Sequence, residues 1–76
     1  MTLYEQVLTE VREFLPPNEN VERFVARQCQ SHLQVDPEAL SVAHIPRLAW
    51  WIGISAGLLI PQERALILRQ KIEALH

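Results

Sequence analysis

Seventy-six residues, with seven Lys and Arg against nine Asp and Glu, give a formal charge of −2 and a pI near 5.8, which excludes a global field for nucleic acid or anionic lipid. A chain this short buries only about 60% of the surface that its unfolded form exposes. A single cysteine excludes an intrachain disulfide, so oligomerisation is the expected supplement to a small core.

The first residues, Met1 to Glu5, lack the basic flank and apolar stretch of a signal peptide, and a reduced, cytoplasmic setting is the expectation. Thr2 is placed to cap a first helix, with Glu5 three residues on to complete a capping box, and Pro16-Pro17 ends it. At 100° per residue, Leu3, Tyr4, Val7, Leu8, Val11, Phe14 and Leu15 share one side. Glu5, Glu10 and Glu13 fall on the other beside Arg12, a solvated face rather than an acid-base pair.

Asn18 or Asn20 caps a second helix running to about Gln34, with Val21, Phe24, Val25, Cys29, His32 and Leu33 inward. Its opposite face carries Arg23, Arg27, Gln30 and Gln34. Two arginine forks one turn apart suit carboxylates, and the stripe is a candidate for docking an acidic protein segment. Its bland alternative is a solvated face with pairing such as Glu19 to Arg23. Cys29 and His32, one turn apart, are two metal-ligand types, and His44 is a third. One cysteine falls short of the usual structural zinc sets, and the wheel puts His32 among core positions, so a buried, hydrogen-bonded histidine is expected. Cys29 with His32 lacks any activating context for nucleophilic catalysis.

Asp36-Pro37-Glu38 has the form of a short helix start, Asp as cap and Pro in the first turn. His44 reads as a loop or capping residue. The third main helix is expected from near Pro46 to Gly57 or slightly beyond, and it holds most of the most informative segment, Leu48 to Ile60, thirteen residues without a charge. A membrane crossing takes about 20 apolar residues, so this run is read as a helix buried in protein. On a wheel, Leu48, Trp51, Ile52 and Leu59 make one arc, Trp50, Ile54 and Leu58 a second, and Ala49, Gly53, Ala56 and Gly57 a third. No arc is polar. Ser55 is expected to bond back to a carbonyl one turn earlier. Two glycines in a helix cost about 1 kcal/mol each relative to alanine, which points to a close helix approach over small residues, with chain termination as the alternative for Gly57.

Pro61 and Glu63 form the first turn of a fourth helix ending near Leu75. Ala65, Leu68, Ile72 and Leu75 make its core stripe, and Leu66 and Ile67 lie off it among charged residues. Terminal His76 is expected to be disordered. Both glycines sit in the apolar run, so there is no glycine-rich phosphate cradle.

Residues 1–76 are therefore read as a single helical domain, all-α, a small bundle of four main helices plus a short linking helix. The expected function is a non-catalytic protein-protein interaction or regulatory module, homodimeric through Trp50, Gly53, Ile54 and Leu58, without cofactor or metal and without a membrane anchor. Its partners would be a second copy and an acidic segment at Arg23, Arg27, Gln30 and Gln34. Competing readings are a weak nucleic-acid binder using the Arg23/Arg27/Gln30 stripe, or a small-molecule-binding bundle.

Overall fold

Four helices form where the apolar period and the caps place them. In the computed structural model, which describes residues 1–75, α1 spans Leu3–Phe14, α2 Val21–Gln28, α3 Ile45–Ala56 and α4 Gln62–Glu73. Among the described residues there is no strand. The expectation for His76 lies outside the described residues.

The capping box at the start of α1 is complete. Glu5 N–H donates to Thr2 Oγ1 at 3.1 Å and Thr2 N–H donates to Glu5 Oε1 at 3.1 Å, which satisfies two otherwise orphaned donors. The Thr2 N–H and hydroxyl together hold the Glu5 carboxyl below its ordinary range. Asn20, not Asn18, caps α2, its Oδ1 accepting from Arg23 N–H at 3.0 Å. Asp36 accepts from Glu38 N–H at 3.1 Å and opens a 3-10 turn over Pro37–Ala39, the expected short helix. A second 3-10 turn, Val42–His44, was not expected; the His44 ring caps it by accepting from Ser41 N–H at 3.1 Å.

Two corrections concern helix ends. The second helix does reach Leu33, but its last five residues, Cys29–Leu33, widen into a π-turn. Gln34 ends it in the left-handed region at φ 55°, and Val35 N–H closes the motif on the Cys29 carbonyl at 3.1 Å. A residue type that favours this conformation, Gly or Asn, is missing here, so nothing in the sequence marked the turn. Gly57 does end α3, yet with φ −61° in the right-handed region, so its lack of a side chain is not needed for a left-handed cap.

The helices pack as a ring. α1 lies against α2 and α4, and α3 lies against α4 and α2, with the α3–α4 contact the most extensive. Each sends a short apolar stripe inward: Val7, Val11 and Phe14 from α1, Val21 and Val25 from α2, Leu48, Ala49 and Ile52 from α3, and Ala65, Leu68 and Ile72 from α4. Leu3, Tyr4, Leu8, Phe24 and Leu33, expected inward, are only half-buried around this centre. The Arg64 guanidinium lies 4.9 Å from the Phe14 ring centroid and covers the α1–α4 seam. The anticipated Glu19–Arg23 pair does not form; the ion pairs among the described residues are Arg12–Glu22 at 2.7 Å and Arg69–Glu73 at 2.8 Å. Both are exposed and contribute little to stability.

Cys29 is fully buried. Burial, assisted by the negative charge of Asp36, pushes its thiol from an ordinary 9.0 up to about 11. The folded chain thus keeps the proton that the unfolded chain loses above about pH 9, and the resulting stability is complete below that pH and lost as pH rises towards 11. Tyr4, also raised by burial and by Glu22, acts in the same direction. Urea midpoints measured from pH 8 to 11 should fall with pH, and Cys29→Ala should flatten that fall. A wild-type midpoint that does not move would contradict the burial of the thiol.

Candidate interaction surfaces

A ring of four helices gives each an outward side, and α3 has almost nothing polar to put there. Trp50 and Ile54, one turn apart on α3, and Leu58 in the turn that follows it are 48%, 47% and 86% exposed. Leu66 of α4, 52% exposed, faces the same groove. The groove has a volume of about 580 Å³ and runs between α3 and α4 from Trp50 past Gly53 to Leu58. Exposed apolar residues are ordinary when scattered, but a contiguous set around a groove is the usual mark of a contact surface.

Gly53 sets the groove's depth. A Cβ at this position would lie 3.2 Å from Arg69 Cβ and 3.3 Å from its Cδ, so the glycine lets the arginine stem cross α3 closely. The sequence placed Gly53 both on a small-residue face and in the expected dimer contact; in the structure it is half-buried beneath Arg69 and forms the groove's floor. Arg69 then turns outward. Its guanidinium carbon sits 4.7 Å from the Trp50 ring centroid, and its Nε donates to Glu73 Oε1 at 2.8 Å. Trp50 is thereby held as a rigid ledge at one end of the groove. The small-residue face reads correctly for Ala49 and Ala56, both fully buried. Gly57 has no neighbouring element within contact of its missing side chain, only carbonyls of its own helix.

The arginine stripe is only partly assembled. Arg23 and Arg27 line a second, half-open cleft of about 620 Å³ between the start of α2 and the end of α3. Gln30 and Gln34 are exposed outside it. The π-turn and the left-handed Gln34 break the helical phase on which the four-residue stripe depended. Gln28 takes their place in the cleft wall, a residue that the wheel did not single out.

Gln28 is 3% exposed and the one buried polar side chain among the described residues. Ser55 Oγ donates to its Oε1 at 2.9 Å, so the serine bonds across to α2 and not back along α3. A serine in the last turn of α3 opposite a buried glutamine offers no periodic signal, and this pairing was not legible. Ser55→Ala should lower stability by about 1 kcal/mol, the net worth of a typical intramolecular hydrogen bond, as read from the urea midpoint; an unchanged midpoint would show that water replaces the hydroxyl without loss.

His32 departs from its expected core position. It is half-buried, and its ring stacks face to face on Trp51, with centroids 3.8 Å apart and planes 4° from parallel. Stacking, not a hydrogen bond, holds it. Cys29, His32 and His44 are accordingly separated in role, as a buried thiol, a stacked ring and a turn cap. Among the described residues no three His, Cys, Asp or Glu side chains are grouped to hold a metal ion, and no helix is long and apolar enough to cross a membrane. Compared with protein-family models, with curated proteins and with solved structures, the chain finds no match.

Proposed function

We propose that the protein is a non-catalytic interaction module that associates with a second copy of itself through the α3–α4 groove. The observation that carries this reading is the unbroken line of exposed Trp50, Ile54 and Leu58, with Leu66 opposite, on a domain whose own core is small. A two-fold axis lets one apolar patch cover its own mate. Charge supports self-complementarity as well: Glu63 and Arg69 flank the same groove, so an antiparallel copy can set unlike charges opposite each other at the rim. Chemistry by this groove has little support, since it lacks a nucleophile–base pair and the one thiol of the chain is buried with its proton held tightly.

Sedimentation equilibrium over micromolar concentrations tests the proposal directly. The expected species has twice the 8.8 kDa mass of the chain. A folded 8.8 kDa monomer throughout that range would overturn it.

A further inference from the structure

The second cleft is built differently from the groove. Arg23 and Arg27 face it without an ion-pair partner among the described residues. Glu19 shares its wall, leaving a surplus of one positive charge, which matches a single carboxylate better than a doubly charged phosphate. The decisive group is Gln28. Its Oε1 is taken by the Ser55 hydroxyl, while its amide nitrogen has no partner among the described residues and is not fully enclosed. A deeply buried side chain that lines the same cleft as two unpaired arginines and still has a donor to give is a candidate third contact for an oxygen acceptor.

Phe24, Leu58 and Leu59 give the wall an apolar part, beside Asn18, Asn20, His32 and Ser55. A ligand that satisfies both halves carries one carboxylate next to an apolar group. The cleft is half-open and well supplied with polar side chains, whereas sites for small organic molecules enclose most of their ligand in apolar walls. Nucleic acid is disfavoured by the single surplus charge and by the net −2 of the chain.

We propose that this cleft docks an acidic peptide segment, in which an aspartate or glutamate between apolar residues is held by Arg23, Arg27 and the Gln28 amide. The charged contacts of this site lie on α2, outside the α3–α4 groove, although Leu58 borders both.

The test is a nuclear magnetic resonance titration of the nitrogen-15-labelled protein with a capped pentapeptide, Ala-Leu-Asp-Leu-Ala. Saturable shifts of the Gln28 side-chain amide are expected, together with those of the Arg23 and Arg27 Nε–H groups. Binding should weaken about tenfold when the peptide's Asp is replaced by Asn, the scale of one charge-assisted contact. The double variant Arg23→Gln, Arg27→Gln should lose binding with its helical circular dichroism unchanged, and Arg27→Lys should retain part of it. Four results would overturn the proposal. They are an unshifted Gln28 amide, equal binding of the Asn peptide, hexanoate binding as tightly as the peptide, or displacement of the peptide by an oligothymidylate whose own binding fades steeply with salt.

Discussion

Leu68→Ala is expected to cost about 2–5 kcal/mol, the range for removing a fully enclosed leucine side chain. Leu68 is 0% exposed, with Ala65 and Ile72 on the same inward stripe of α4. That helix closes the ring by packing on both α1 and α3, so a void left there loosens two seams together. The total stability of a domain of 76 residues is roughly 4–11 kcal/mol at the usual range per residue. The loss is therefore a large share of the total, and the urea midpoint should fall well below that of wild type. Urea denaturation followed by circular dichroism is the measurement, and a midpoint within error of wild type would mean that α4 is not part of the cooperative unit. Exposed Leu66→Ala, two residues away on the opposite side of α4, is the control and should leave the monomer's stability almost unchanged.

The second large effect concerns association. Trp50→Glu should raise the dimer dissociation constant roughly thirtyfold or more, the equivalent of at least about 2 kcal/mol for loss of an aromatic anchor at a contact. The fold should survive the change. Trp50 is half out of the core and lies under the Arg69 guanidinium, so the new carboxylate meets a cation already in place. Circular dichroism should be that of wild type while sedimentation shows monomer. Self-association undiminished in this variant would place the contact on another surface.

How far the sequence could be read divides cleanly by the range of the interaction. Thr2 with Glu5, Asn20 and Asp36 cap helices through bonds to residues two or three positions away, and those are local enough to read directly. The core stripes followed from the 3.6-residue period, as Val7 and Val11 or Leu68 and Ile72 illustrate. The apolar outward side of α3 was legible for the same reason, since no arc of its wheel is polar. What escaped was set between helices. Ser55 has an acceptor available in its own helix, yet bonds to Gln28, 27 residues earlier in the chain. His32 falls on a core arc of a regular wheel, but the wide turn carries it to the face of Trp51. Gln30 and Gln34 left the arginine stripe for the same reason, and the cleft that the arginines share with Ser55 depends on how α2 sits against α3.

The π-turn at Cys29–Leu33 does for this helix what a bulge does for a β-strand. One residue more than the regular spiral needs is absorbed in place, and the side chains after it are re-aimed while those before it keep their bearings. Val25 and Cys29 stay on the interior, whereas His32 turns to meet an indole. Removing one residue from this segment would shorten the chain only slightly, yet it would restore the ordinary spiral and swing the imidazole away from Trp51. Length within these five positions is therefore constrained more tightly than their composition.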